Sequence, residues 1–216
     1  MALDIDHFSK LRPYLYHLTG RGNIVHIQKD MALKCSNTLF AEAGAIALSR
    51  TVRRGPCLLR IGERQVQIRD QDPLHAGKIA FSGGWELPDL VEHLNKHVFF
   101  WPGWDGGLVT SGEHHFERYS EEKPRPIILR VAVKELLSEN TGTKPFLCLY
   151  NSGAPRCTQG HGSPRGPSTF LSADTFDLPP SRVVEVTFRS TMKLPLSVQA
   201  AASLEGPWQR LMDLLF

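Results

Sequence analysis

The sequence YLYHLTGRGNIVHI, residues 14–27, places a β-prone run, a polar pair and two glycines directly before a helical pattern. In an extended strand His17 and Thr19 lie two positions apart, so their side chains point to the same face. An imidazole and a hydroxyl on one face can clasp a ribose or an amide, while Gly20 and Gly22 let the backbone approach a ligand closely. The alternative is that His17 is a core histidine with satisfied hydrogen bonds and that the glycines only make a turn.

The length and composition of the chain fit one domain. With 216 residues, of which 41% are hydrophobic, the chain can bury one sizeable core, so we expect a single domain over residues 1–216, with two small domains as the alternative. The net charge of +3 permits non-specific binding to nucleic acid without requiring it. Positive charge is concentrated in one run, for which a solvated surface is the commoner explanation: Arg50, Arg53, Arg54 and Arg60.

The cysteines and the N-terminal residues indicate an intracellular protein. The four cysteines are widely spread and form no Cys-x-x-Cys pair, which argues against a zinc site or a disulfide framework. We therefore predict no metal site, and reduced thiols in the cytoplasm. The first residues lack the basic and apolar regions of a secretory signal, and no apolar run approaches membrane-spanning length, so we expect no membrane association.

The apolar spacing downstream of the opening stretch predicts helices interspersed with strands. Ser36 suits the N-cap of a helix to about residue 52, which would place Arg50 and Arg54 one turn apart at its far end. Pro88 suits the first turn of a helix to about residue 96. Further predicted elements are an apolar strand over residues 97–102, a helix over 113–119 that carries Tyr119, and a buried strand over 126–133.

Residues 151–167 read NSGAPRCTQGHGSPRGP, which is too rich in glycine and proline for regular structure. A loop of this length in a compact domain is usually functional or disordered. Its polar side chains make it a candidate surface for a binding partner, and a purely structural excursion is the alternative: Asn151, Arg156, His161 and Arg165.

Glu185 lies in the last clear strand of the sequence, residues 182–188. Its side chain points to the face opposite Val184, Val186 and Phe188, because side chains alternate along a strand. A carboxylate in this position can simply be solvated. If it lines a cleft instead, it is a candidate general base or charge stabiliser.

These motifs, in this order, resemble the ADP-ribosyltransferase superfamily, whose sites are described by a histidine, an aromatic residue and a glutamate on three separate strands. Residues 16–19 (YHLT), followed by Asn23, are similar to the opening of DarT-type DNA ADP-ribosyltransferases. Residues 98–100 (VFF) resemble their second motif, and residues 184–186 (VEV), followed by Leu-Pro at 194–195, resemble their glutamate strand. The strings FFWP, HFxRY and NSGAPR also resemble a group of uncharacterised bacterial proteins.

The resemblance implies an α+β fold in which split mixed or antiparallel β-sheets and flanking helices surround an NAD cleft, with NAD as co-substrate. It makes Glu185 the catalytic residue that stabilises positive charge and orients the nucleophile. An arginine after the first long helix takes part in catalysis in DarT-type enzymes, and Arg50 fits that place best, with Arg54 next. The other matched residues would hold the ribose, amide and ring parts of NAD: His17, Leu18, Thr19, Asn23, Phe99, Phe100 and Tyr119.

Two positions depart from the pattern of the family. The second motif has Phe-Phe-Trp in place of a tyrosine, so stacking on a ring is kept but a hydrogen bond from an aromatic hydroxyl is lost. Gly20 stands where many relatives carry a larger residue.

The activity that the resemblance implies is transfer of ADP-ribose from NAD to a macromolecule, with a DNA or RNA base favoured, and release of nicotinamide. Toxin-like members of the superfamily often require a neutralising antitoxin-like protein, which would be a further partner. Two alternatives stay open. One is a non-catalytic module of the same fold that binds a nucleotide or nucleic acid, and the other is an RNA 2′-phosphotransferase-like enzyme that uses His114, His115 and Arg118.

Overall fold

A computed structural model of the chain describes residues 2–215, which form six α-helices and fifteen β-strands joined by loops and short 3-10 helices. The helices are α1 (Ile5–Leu11), α2 (Ile24–Asp30), α3 (Ser36–Glu42), α4 (Leu87–Asn95), α5 (Thr110–Arg118) and α6 (Val133–Glu139). The strands are β1 (Tyr14–Thr19), β2 (Ala32–Lys34), β3 (Cys57–Ile61), β4 (Arg64–Ile68), β5 (Ile79–Phe81), β6 (His97–Trp104), β7 (Gly107–Leu108), β8 (Ile127–Ala132), β9 (Phe146–Cys148), β10 (Ser163–Arg165), β11 (Leu171–Ser172), β12 (Glu185–Arg189), β13 (Thr191–Lys193), β14 (Gln199–Ala201) and β15 (Gln209–Arg210). The predicted α+β class is confirmed.

One large sheet organises the fold. Eight strands follow the order β11-β9-β12-β6-β1-β8-β14-β15, and β7 pairs with β6 as a ninth strand. Each of these neighbouring pairs is antiparallel. Three two-stranded sheets lie apart from it: the antiparallel pairs β3–β4 and β2–β13, and the parallel pair β5–β10.

Strand β6 changes its pairing partner halfway along its length. Residues 101–103 pair with β1, and the pairing ends at the rung that joins Tyr16 to Trp101. Residues 97–100 pair with β12 on the opposite edge of β6. The sheet therefore splits between β1 and β6 at this rung, and a cleft opens on the β1 side of residues 97–100.

The two faces of β6 belong to different clusters of side chains. Phe100 is 1% exposed and packs in the main core with Val98 of the same strand and with Phe188 of β12. Phe99 and Trp101 point the other way, because side chains alternate along a strand. Both of them line the cleft.

Several predicted elements are present at the expected positions. The helix after Glu86 covers Leu87–Asn95 and has Pro88 in its first turn, together with a capping box formed by Glu86 and Asp89. The strands predicted over residues 97–102 and 126–133 are β6 and β8, and the helix predicted over 113–119 is α5, which begins three residues earlier.

The predicted long helix from Ser36 to about residue 52 is wrong. Helix α3 ends at Glu42, and a separate 3-10 helix covers Ile46–Arg50. Gly44 adopts a left-handed conformation with φ of 67°, its amide bonds to the Ala41 carbonyl, and the next amide bonds to the Phe40 carbonyl. These two bonds are those of a Schellman motif, which ends a helix. Arg50 and Arg54 consequently do not lie on successive turns of one helix.

No helix within residues 2–215 is long and apolar enough to cross a membrane. The helices of the described chain are seven to nine residues long, whereas a span requires roughly 20 residues.

Gly103 provides a test of how tightly β6 is packed at its far end. A Cβ atom at this position would overlap the Gly107 carbonyl oxygen and would lie 2.7 Å from the Leu108 Cα. We expect Gly103→Ala to lower the free energy of unfolding by about 2 kcal/mol, because overpacking a close backbone contact forces strands apart. Gly22→Ala is the matched control, since no atom lies within 4 Å of its added Cβ. Urea denaturation of both variants checks this, and equal stabilities would contradict it.

Candidate functional site

The cleft beside the split in the sheet is a cavity of about 280 Å³. Its floor comes from β1, β6 and β12, and its walls come from α2, the β3–β4 hairpin and the loop after β9. Seven of the residues assigned to NAD binding or catalysis from the sequence line this cavity: His17, Leu18, Thr19, Asn23, Phe99, Tyr119 and Glu185.

Asn23 fastens the β3–β4 hairpin over the cavity. Its side-chain Nδ2 donates to the Gln67 carbonyl at 2.8 Å, and its Oδ1 accepts from the Gln67 amide at 2.9 Å. Nδ2 also donates to Thr19 Oγ1 at 3.2 Å. The amide of Asn23 thus pairs with the hairpin backbone as a neighbouring strand would, and it ties the end of β1 to β4.

His17 is neutral and presents one hydrogen-bond acceptor to the cavity. Its Nδ1 lies 2.9 Å from the Phe99 carbonyl oxygen, so Nδ1 carries the hydrogen and donates. Burial lowers the pKa of His17 to about 4, which outweighs the effect of this bond. At neutral pH the lone pair of Nε2 therefore remains available to a ligand hydroxyl or N–H group.

Glu185 projects from β12 into the opposite end of the cavity. Its side chain is 1% exposed, so the solvated alternative is wrong and the carboxylate lines a cleft. The Ser152 amide donates to Oε2 at 3.2 Å. Burial raises the pKa of Glu185 to about 7, although the contacts with Ser152 and the charge of Arg165 oppose this. The group can therefore exchange a proton near neutral pH.

A stack of rings and one guanidinium forms the far wall. Trp101 and His115 stack with centroids 4.2 Å apart, and His115 meets Tyr119 edge-on at 5.1 Å. The Arg69 guanidinium lies 4.2 Å from the Tyr119 ring centroid. Burial lowers the pKa of His115 to about 3 and raises that of Tyr119 to about 12, so both rings are uncharged at pH 7.

Three arginines that were not predicted as site residues line this cavity: Arg53, Arg64 and Arg69. Arg64 is paired with Asp30. Arg69 donates through Nη1 to Glu122 at 2.9 Å, but its Nε and Nη2 are buried and lack a hydrogen-bond partner among the described residues. Arg53 donates to the Arg69 carbonyl and to Asn95 Oδ1, and burial lowers its pKa to about 10. Two unpaired N–H groups on one guanidinium match the oxygens of a phosphate.

The two arginines assigned to catalysis from the sequence lie elsewhere. Arg50 is exposed and forms ion pairs with Asp89 and Glu92 of α4, each at 2.6 Å. Arg54 is exposed and donates to the Asp72 carbonyl at 3.0 Å. Neither lines the cavity.

Phe100 and two of the three residues of the phosphotransferase alternative also lie outside the cavity. Phe100 packs edge-on against Phe188 in the main core, so Phe99 and not Phe100 faces the cavity. His115 lines the cavity, whereas His114 and Arg118 are exposed and Arg118 pairs with Asp72. These three side chains do not converge.

The glycine- and proline-rich loop contributes its first four residues, Asn151 to Ala154, to the cavity wall. Arg156 and His161 are exposed, whereas Arg165 is 2% exposed and bonds to backbone carbonyls. The loop is therefore partly a wall of the cavity and partly a surface excursion. Within residues 2–215, no group of three or more His, Cys, Asp or Glu side chains is arranged to hold a metal ion.

Comparison with known proteins identifies a family but not an activity. Residues 13–197 match a family of unknown function, DUF7002, and the chain belongs to this family. No match was found among curated proteins or among solved structures. The chemistry of this cavity is consequently the main guide to function.

The titration of Glu185 makes a prediction about stability. A carboxyl with an ordinary pKa of 4.5 in the unfolded chain and about 7 in the folded chain destabilises the fold progressively as the pH rises from 4.5 to 7. The full effect is about 3 kcal/mol at 1.4 kcal/mol for each pKa unit. We expect Glu185→Gln to be more stable than the natural protein at pH 8, and this advantage to shrink towards pH 5.

Urea denaturation of both proteins at several pH values measures this difference. The buried histidines have the opposite effect on stability, because they favour folding when neutral and lose that contribution as the pH falls below 6.5. Both proteins contain these histidines, so their effect cancels in the difference between the two stabilities. A difference between the two proteins that does not change with pH would contradict the raised pKa.

The clamp formed by Asn23 makes a second prediction. Asn23→Ala removes three hydrogen bonds and leaves the Gln67 amide and carbonyl unpaired, so we expect a loss of about 2 to 3 kcal/mol. Gln65→Ala, an exposed position on the same hairpin, is the matched control. Faster hydrogen exchange at the Gln67 amide should accompany the loss. Equal protection in the two variants would show that Asn23 does not hold the hairpin.

Proposed function

We propose that this protein transfers ADP-ribose from NAD to a macromolecule, with nucleic acid as the favoured acceptor, and releases nicotinamide. One observation carries the proposal. His17, Phe99 and Glu185 come from three neighbouring strands, β1, β6 and β12, and line one cavity where the sheet splits. This arrangement fits the histidine, aromatic and glutamate positions of the ADP-ribosyltransferase superfamily and its split sheet.

The protonation states suit a ribose next to a glycosidic bond. His17 accepts a hydrogen bond from a ribose hydroxyl through Nε2, because its Nδ1 hydrogen is held by the Phe99 carbonyl. Phe99 offers a flat apolar face for the nicotinamide ring, which replaces the predicted role of Phe100.

Glu185 supplies the charge that the reaction needs. When the bond between nicotinamide and ribose breaks, its electron pair leaves with nicotinamide and positive charge develops on the ribose. The ionised carboxylate stabilises that charge. The acceptor nucleophile then bonds to the ribose carbon, and its proton passes to Glu185, whose pKa of about 7 suits a base at neutral pH.

Arg69 is the residue that we assign to the pyrophosphate, in place of Arg50 and Arg54. Its Nε and Nη2 are buried in the cavity wall and lack a hydrogen-bond partner within residues 2–215, while Glu122 and the Tyr119 ring fix its orientation. A guanidinium held in this way can bind two oxygens at once. The exposed Arg54 lies shortly before the hairpin and the exposed Arg60 lies on its strand β3, and both supply positive charge for a nucleic-acid acceptor.

Nicotinamide release by purified protein tests the proposal, with NAD alone or with DNA, RNA or protein extract in separate tubes. We expect release that depends on one acceptor class and that rises as the pH increases through 7, because Glu185 ionises there. Glu185→Gln should lower release at least 100-fold with NAD affinity nearly unchanged. Arg69→Met should weaken NAD binding about tenfold or more, whereas the control Arg50→Met should match the natural protein.

Calorimetric titration with NAD separates the remaining outcomes. If NAD binds but is never consumed, and Glu185→Gln behaves as the natural protein does, the protein is a non-catalytic nucleotide-binding module and not a transferase. Undetectable NAD binding would overturn both.

A further inference from the structure

Arg165 is among the largest fully buried side chains of the protein, which is an unusual place for a permanent cation. It lies at the end of β10, where the glycine- and proline-rich loop returns to the domain and pairs with β5. The described residues include no carboxylate within ion-pair distance of its guanidinium. Burying a charge without an ion pair is costly, so a purely stabilising role accounts poorly for it.

The guanidinium of Arg165 is satisfied by backbone carbonyls and by one ring. Nε donates to the Ser152 carbonyl at 3.0 Å, Nη2 to the Asn151 carbonyl at 2.8 Å and Nη1 to the Pro164 carbonyl at 2.8 Å. The guanidinium carbon also lies 4.0 Å from the Tyr150 ring centroid. Three carbonyls and one aromatic face hold the planar guanidinium in place, and the guanidinium thereby holds the backbone turn at residues 151–152.

One peptide group connects this arginine to the candidate catalytic carboxylate. The carbonyl of Asn151 and the amide of Ser152 belong to the same planar peptide, whose oxygen accepts from Arg165 and whose N–H donates to Glu185 Oε2 at 3.2 Å. Because the peptide is rigid, fixing its oxygen also aims its N–H. A cation on the oxygen polarises the N–H as well, which strengthens its bond to the carboxylate.

We propose that Arg165 is a positioning residue, which orients Glu185 and favours its ionised form through the peptide that joins Asn151 to Ser152. The catalytic consequence rests on the proposed function, but the effect on Glu185 does not. Ser152 also acts on Glu185 through its side chain, because its buried Oγ lies beside the cavity and interacts with the carboxylate, which lowers the pKa of Glu185.

The other ionisable groups that act on Glu185 are uncharged at neutral pH. Cys148 faces it from β9, and burial raises the pKa of this thiol far above neutrality. Burial also raises the pKa of Tyr150. The positive charge that lowers the pKa of Glu185 is that of Arg165. Removing this charge should therefore move the titration of Glu185 towards higher pH.

The test is a carbon-13 NMR titration of the side-chain carboxyls of glutamate-labelled protein, with the Glu185 signal assigned by its loss in Glu185→Gln. We expect Arg165→Met to raise the apparent pKa of Glu185 by about one unit or more, since a charge and an N–H bond are both weakened. Arg165→Lys keeps the charge but loses the planar fork, so we expect a smaller rise. Arg156→Met, in the exposed part of the same loop, is the matched control and should cause no shift.

A folded Arg165→Met protein in which Glu185 titrates as in the natural protein would overturn the proposal. If Arg165→Met does not fold, Arg165→Lys decides in its place, because an unchanged titration in that variant would equally exclude positioning through the fork. An equally large shift in the pKa of Glu185 in Arg156→Met would also overturn the proposal, since loss of any positive charge from the loop would then have the same effect.

The titration needs no NAD, so its result is separate from that of the transferase test. If nicotinamide release is found, Arg165→Met should lower kcat with little change in KM for NAD and should move the pH–rate profile in the alkaline direction. If release is absent while the titration of Glu185 shifts as expected, the proposed function fails and the positioning of Glu185 by Arg165 stands.

Discussion

The cavity depends on one change of hydrogen-bonding partner in the middle of β6. A strand has two edges, and β6 uses one edge for β1 through residues 101–103 and the other for β12 through residues 97–100. Beyond the Tyr16–Trp101 rung, the edge of β6 that faces β1 no longer pairs with its backbone. The Phe99 carbonyl is satisfied there by the His17 side chain, which therefore holds the cleft open and acquires a fixed tautomer. The split between β1 and β6 and the tautomer of His17 thus have the same cause, which is the Phe99 carbonyl that β1 leaves unpaired.

Burial in the same cavity shifts the pKa values of two titratable groups in opposite directions. Burial makes His17 a weaker base, so it stays neutral, and makes Glu185 a weaker acid, so it exchanges protons near pH 7. Pairs of groups whose environments assign them different protonation states are typical of acid–base sites. Buried polar groups that are incompletely paired, such as Nε and Nη2 of Arg69 and the carboxyl of Glu185, oppose folding, and proteins commonly retain such groups where function requires them.

Much of this arrangement could be predicted from local patterns. The β-prone run of residues 14–19 and the continuous apolar run of residues 97–102 predict β1 and β6, and the flanking valines predict that Glu185 faces away from the core. Alternation also separates Phe99 from Phe100, but it does not say which of them faces the ligand. The predicted helix runs past Gly44, although a glycine after a short apolar helix is a common sign that the helix ends. The assignment of Arg50 and Arg54 to the site rested on that long helix, and neither side chain lines the cavity. The place of Arg69 in the cavity wall could not be predicted, because a contact distant in sequence, that of Asn23 with the hairpin, brings it there. Arg165 is expected on the surface of its loop, and its burial could not be predicted because it depends on the turn at residues 151–152.

The alternation along β6 means that five consecutive residues, 97–101, supply both the main core and the cavity lining. Val98 and Phe100 fill the core, while His97, Phe99 and Trp101 line the cleft. A deletion of one residue in this strand would shift the register and exchange the two faces, placing cleft residues in the core and core residues in the cleft. Insertions and deletions should therefore be excluded from β6 in natural variation of this family, whereas the exposed excursion at residues 156–161 can change length without moving either face.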